Sequence, residues 1–147
     1  MTVRWGILSA ANIAKQQVMP AIVENGGKIQ AIASRSQNVK DLVKQYEIEH
    51  VYTTYEALIA SDLDAVYIAL PNSLHFEWVM KALEHGKHVL VEKPIVLDVQ
   101  QIIAIKEKAD MVICDFVMHN HNITNIHQHN ISINIKSSEL QEKIISG

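Results

Sequence analysis

A chain of 147 residues with 48% hydrophobic and 20% charged positions is long enough to bury a core without disulfide or metal, and too apolar to remain unfolded. Lys+Arg number 13 against Asp+Glu 16, a net charge of −3 without a basic stripe, which argues against nucleic-acid and anionic-membrane partners because both require clustered cations. No apolar run reaches the roughly 18 residues of a membrane span; the start Met1-Thr2-Val3-Arg4-Trp5 lacks a leader's basic and apolar series, and a lone cysteine, Cys114, forms no internal disulfide, so a reducing cytoplasm is the expected location.

In chain order, Val3 to Leu8 predicts a first strand, Ser9-Ala10-Ala11-Asn12 a small-residue turn, and Ile13 to Glu24 a helix stopped by Asn25-Gly26-Gly27. Lys28 to Ser34 reads as a second strand, and Val39, Leu42, Val43 and Tyr46 recur at helical spacing over Val39 to Tyr46. Val51-Tyr52 is a short third strand before a helix over Tyr55 to Ala60. Ala65 to Leu70 (AVYIAL) is an unbroken apolar run, the mark of a strand covered on both faces. Pro71-Asn72-Ser73 breaks the chain, Leu74 to His85 forms a helix with Gly86 as its stop, and His88 to Val91 is a fifth strand. On that helix the stripe Phe76, Val79, Met80 and Leu83 predicts packing against a sheet. A helix over Val99 to Ala109 and a strand over Met111 to Phe116 complete the series, with Cys114 expected as a buried thiol. Strands that alternate with helices pair in parallel through right-handed crossovers, so the fold class is α/β, a doubly wound parallel sheet in a single domain.

After Phe116 the composition changes. Residues 117 to 135 hold five Asn, five Ile and four His with no Gly or Pro, and Ser138 to Ile145 reads as a short helix ahead of Gly147. His119/His121 and His127/His129 form two H-x-H pairs, but no Cys, Asp or Glu lies between Asp115 and Glu139 to complete a mixed site. The segment is read as loosely ordered and polar, and no metal is expected.

In a doubly wound sheet ligands bind at the carboxyl ends of the strands, so the strand-to-helix turns carry the chemistry. The first, Gly6 to Ala14, lies where a dinucleotide fingerprint would lie, with Ser9, Ala11 and Ala14 at its three small-residue positions. A plain turn packed with small residues reads the same way. After the second strand, where an acidic residue would bond the ribose hydroxyls of NAD, the chain has Ser34-Arg35-Ser36. A guanidinium accepts no such bond but pairs with a 2′-phosphate and stacks on adenine, which predicts NADP over NAD; an exposed turn arginine is the alternative.

Together RWGILSAANIA (Arg4 to Ala14), AIASRS (Ala31 to Ser36), PNSLH (Pro71 to His75) and GKHVLVEKP (Gly86 to Pro94) resemble the N-terminal domain of the Gfo/Idh/MocA family of NAD(P)-dependent oxidoreductases, over Val3 to Phe116. The second turn is similar to that of its dihydrodiol dehydrogenase-like members. The resemblance implies that Ser9, Ala11, Asn12 and Ile13 cradle the pyrophosphate and that Ser34 and Arg35 hold the ribose phosphate. It also implies that Leu70, Pro71, Asn72 and His75 border the cofactor's middle and nicotinamide end. Glu92 and Lys93 would flank the nicotinamide, with Pro94 aiming Lys93 as the catalytic lysine. Beside a cationic ring such a lysine has its pKa pushed down, and it can exchange a proton with a substrate hydroxyl or carbonyl while hydride moves.

Residues 1–116 are therefore expected to form a dinucleotide-binding domain, and 117–147 the remnant of a link to a second, substrate-holding domain that this chain lacks. The implied function is hydride transfer between NADP(H) and a small-molecule sugar, polyol or diol, incomplete in this chain alone. The alternative is a non-catalytic nucleotide-binding or interaction module. A homo-oligomer is compatible with either.

Overall fold

The computed structural model describes residues 2–35, 38–92, 99–108 and 112–114. Its strands are β1 (Arg4–Leu8), β2 (Lys28–Ala33), β3 (His50–Tyr52), β4 (Ala65–Ile68), β5 (His88–Val91) and β6 (Val112–Cys114). They form a single six-stranded sheet in the order β3-β2-β1-β4-β5-β6, with every pair parallel. This is the doubly wound α/β sheet expected from the alternation of elements. The order reverses at β1, which has β2 on one side and β4 on the other, so a crevice opens between the ends of β1 and β4.

The helices are α1 (Met19–Glu24), α2 (Lys40–Tyr46), α3 (Tyr55–Ala60), α4 (His75–Glu84) and α5 (Val99–Lys108). A π-type segment, Ala14–Val18, leads into α1. The sequence predicted one uninterrupted helix there, and Pro20 accounts for the difference. Proline has no N–H and its ring collides with the carbonyl four residues back. Instead, the Met19 N–H bonds the Ala14 carbonyl, five residues back, in a wider turn that admits the ring.

Two apolar layers sandwich the sheet. Trp5, Ile7, Ile32 and Tyr67 face Val18, Met19, Ile22 and Leu42 of the α1 and α2 layer. Leu8, Ala33, Val66 and Ile68 face Tyr55, Leu58, Val79 and Ile105 of the α3, α4 and α5 layer. Alternate residues of one strand thus go to opposite layers, as the pleat requires, and β4 is buried throughout. Gly6 lets α3 approach β1: a Cβ there would stand 2.6 Å from Leu63 Cδ1 and 2.8 Å from Leu58 Cδ2.

Of the predicted α4 stripe, Val79 is buried and Phe76, Met80 and Leu83 pack against the same layer. Trp78, outside that stripe, is buried as well and meets the Tyr55 ring edge-on at 5.3 Å. At the amino ends of the strands, Arg4 binds Asp62 (2.8 Å) and Asp64 (3.1 Å), and Lys87 donates to the carbonyls of Ser61 and Leu63. The chemistry-bearing turns lie at the opposite rim. The His-rich segment, residues 117–147, and the Cys114 side chain lie outside the described residues. Among the described residues no helix is long and apolar enough to cross a membrane, and no cluster of His, Cys, Asp or Glu could hold a metal ion.

Candidate functional site

The carboxyl-end rim is laced by backbone bonds that continue the sheet past its strands. The Ser9 N–H donates to the Ala33 carbonyl (2.8 Å), the Ala69 N–H to the Leu8 carbonyl (3.2 Å) and the Glu92 N–H to the Ile68 carbonyl (3.3 Å). These bonds bring the ends of β2, β1, β4 and β5 together, and with them the predicted turns around Ser9, Ser34, Leu70 and Glu92.

Ser9 has φ +81°, in the left-handed region where a side chain is strained. This is the first small-residue position of the fingerprint, where a glycine would normally supply the tight exit from the strand. Serine makes the same turn at some cost. Ser9 and Ala11 are half-buried, whereas Asn12 and Ile13 are exposed on the rim. Ala14, at the third fingerprint position, is fully buried among the α1-side residues, where only a small residue lets helix and strand close up. The Lys15 N–H bonds the Ala11 carbonyl at 3.1 Å. The first amides of a helix have no carbonyl behind them and suit an anion.

At the end of β2, Ser34 is half-buried and Arg35 exposed. The Arg35 guanidinium carbon lies over the Tyr55 ring, 5.6 Å from its centre. Beyond β4, Leu70 is buried while Pro71 and Asn72 are exposed, and a 3-10 turn, Asn72–Leu74, leads into α4. The Leu74 N–H closes this turn on the Pro71 carbonyl at 2.9 Å.

His75 is fully buried, with Nε2 2.7 Å from the Leu70 carbonyl oxygen. A carbonyl only accepts, so the ring proton sits on Nε2 and the imidazole staples the turn from beneath. The exposed surface of that turn is provided by Pro71, Asn72 and Ser73.

Glu92 is half-buried at the exit of β5 and accepts a hydrogen bond from the Tyr67 hydroxyl. Tyr67 is fully buried; burial, reinforced by the hydrogen bond and by the carboxylate's charge, pushes its phenol well above the ordinary range. Neither Tyr67 nor Tyr55 was singled out for the site from sequence. The signal was present, since a phenol in a buried run must find an acceptor and an arginine beside a ring gains from it. Lys93 and Pro94 lie outside the described residues.

Residues 3–119 match the family model described as oxidoreductase family, NAD-binding Rossmann fold, under the name Gfo/Idh/MocA. The D-xylose 1-dehydrogenase (NADP(+)) 2 of Haloferax volcanii is 42% identical over 103 residues, which cover 69% of this chain and 32% of that protein. The dTDP-3,4-didehydro-2,6-dideoxy-alpha-D-glucose 3-reductase of Actinomadura kijaniata is 34% identical over 125 residues, 82% of this chain and 38% of the relative. A crystal structure of the 3-ketoreductase from Actinomadura kijaniata with NADP and TDP-benzene superimposes with a TM-score of 0.71 at 34% identity. That match covers 79% of this chain and 38% of the other. This chain thus spans 32% to 38% of the length of these relatives. A six-stranded parallel sheet that reverses at β1, a left-handed residue at the first turn and a family match over residues 3–119 concur: the chain belongs to the Gfo/Idh/MocA oxidoreductases, through their NAD-binding Rossmann fold.

Proposed function

We propose that this chain is the cofactor-binding part of an oxidoreductase that moves hydride between NADP(H) and a sugar, polyol or diol. The observation that carries the reading is the left-handed Ser9 at the carboxyl end of β1, where the strand order reverses, on one rim with the exposed Arg35. The backbone fits a dinucleotide. A tight turn with Ala11 and Ala14 at its small positions lets a pyrophosphate approach the helix start, and Asn12 and Ile13 extend that cradle. Ser34 and Arg35 hold the adenosine ribose phosphate. Arginine at this place favours a 2′-phosphate, as no acidic side chain stands there for a free hydroxyl. Two relatives support this choice, one bearing NADP(+) in its name and one crystallised with NADP.

When bound, the nicotinamide gives or takes the hydride. The chain's own residues bind, orient and move a proton. Leu70, Pro71 and Asn72 border the cofactor's middle, with His75 fixing their turn from below. Glu92, held by Tyr67, stands at the nicotinamide end. Lys93 follows it directly in sequence, and we assign to its amine the proton exchange with the substrate oxygen. The sugar-directed names of the relatives support the substrate class.

A fluorescence titration of NADPH and NADH tests the reading. NADPH is expected to bind more tightly, and Arg35→Ala to abolish the preference. Equal affinity for both, with Arg35→Ala weakening neither, would overturn the 2′-phosphate assignment. Absence of binding by either would overturn the cofactor site itself. For Lys93, Lys93→Ala is expected to keep NADPH affinity close to the parent's and, in a full-length protein that turns over sugars or diols, to abolish that turnover; full turnover in the variant would overturn the assignment.

A further inference from the structure

Resting on the assignment of Arg35 to the 2′-phosphate, we infer that Tyr55 is a positioning residue for that arginine and so sets the preference between NADP(H) and NAD(H). Tyr55 opens α3, one strand away from the end of β2, and its place is fixed twice. Thr54 caps the helix by accepting the Ala57 N–H at 3.2 Å, and the Trp78 ring meets the tyrosine edge-on at 5.3 Å with an angle of 83° between planes. The ring is almost fully buried, 7% exposed, yet Arg35 lies over it at the surface, 5.6 Å from its centre.

The kind of partner matters. Among the described residues no carboxylate pairs with Arg35, and the ring takes the place that an acid would otherwise fill. An acid would neutralise the guanidinium and occupy its N–H fork. An aromatic face attracts the cation while using none of its five donors, which leaves charge and fork for an oxyanion. A long side chain held in place before the ligand arrives also loses less freedom on binding. The positive charge at Trp78 is handled separately: Lys81 lies 4.3 Å from that ring's centre and bonds Glu77 at 2.8 Å. The aromatic pair therefore carries one cation that an acid pairs, Lys81, and one that no described acid pairs, Arg35.

The test is the ratio of NADPH to NADH affinity, measured by titration of the whole chain. Tyr55→Leu keeps an apolar side chain at the head of α3 and removes the ring; NADPH affinity is expected to fall about two- to fivefold, the size of an exposed cation–π contact, with NADH affinity unchanged. Tyr55→Phe keeps the ring and should keep the ratio. Should the leucine variant fail to fold, a series of fluorinated phenylalanines at position 55 preserves shape while draining the ring face of electron density. The ratio should then fall with each fluorine. A ratio unchanged by Tyr55→Leu or across the fluorinated series, in a protein whose preference is lost in Arg35→Ala, would overturn the role of Tyr55 and leave the cofactor reading standing. No preference in the parent chain would instead overturn that reading, and this inference with it.

Discussion

The Tyr67 hydroxyl, buried in β4, donates to the carboxylate of Glu92 at the exit of β5. Tyr67 and Leu90 are register partners on adjacent strands, so Glu92 stands two residues further along the same face. The core thus places a carboxylate at the rim through a phenol that reaches solvent nowhere.

Removing that phenol should be felt in stability and at high pH. Tyr67→Phe is expected to cost about 1.5–3 kcal/mol, the range for a hydrogen bond to a charged group, measured by urea denaturation. The folded phenol has a raised pKa, so it stays protonated where an unfolded tyrosine ionises. The parent's stability should therefore hold below about pH 10 and decline above it. In Tyr67→Phe that alkaline decline should be shallower, and an identical slope would remove Tyr67 as its source.

Ser9 and Glu47 are the two described non-glycine residues with positive φ, at +81° and +52°. Glycine at either should relieve left-handed strain and stabilise the chain by about 0.5–1 kcal/mol after its greater unfolded freedom is counted. Glu47 closes α2, away from the candidate site, so Glu47→Gly should leave NADPH affinity alone. Ser9→Gly, which clears a side chain from the turn, should preserve or strengthen it. Thermal melts and cofactor titrations of the two variants separate strain from binding.

Gly6 is a contact between layers. In Gly6→Ala the new methyl meets Leu63 and Leu58 below 3 Å, and overpacking of this kind costs about 1–3 kcal/mol. Leu63→Ala in the same chain makes room, so the double variant should be more stable than the sum of the single losses predicts. Strict additivity in urea melts would show that the clash is absorbed elsewhere.

At the opposite rim, Arg4 holds Asp62 and Asp64, and its hydrogen bonds are the first cause of both carboxyls lying below their ordinary pKa. Groups depressed in the folded state stabilise it above the ordinary carboxylate pKa of about 4 and lose that contribution as pH falls through their lower folded values. Arg4→Met should lower stability near neutral pH and flatten its decline between about pH 5 and pH 2. Denaturation midpoints across that range are the measurement, and parallel curves would exclude Arg4 as the cause.

What the sequence made legible followed from period and punctuation. Helix α3 and strand β5 have the predicted bounds, the latter because Gly86, which stops the preceding helix, sets its start. Less legible were features that depend on a second element. Pro20 widened a helix whose apolar spacing looked unbroken. The run AVYIAL showed a phenol that needs an acceptor but not which one, because Glu92 comes from the exit of β5. Trp78 fell outside the stripe assigned to α4 because its partner, Tyr55, is on a different helix. At the rim, the left-handed φ of Ser9 belongs to a turn its sequence position already marked, whereas the full burial of His75 depends on a carbonyl that only the folded turn presents.

Strand β1 lies in the middle of the sheet although it is the first of the six strands in chain order. Its partner Ala65 stands opposite Trp5, 60 positions along the chain, and Lys28 opposite Arg4, 24 along. Until β4 has been made, one edge of β1 has no neighbour. Such long-range closure slows folding and prolongs exposure of an unpaired edge, and the Asp64 anchor on Arg4 sits where the β1–β4 pairing begins. The crevice between β1 and β4 is thus a seam that can close only after some 60 further residues are in place, and a ligand spanning it would tie the two halves of the sheet together.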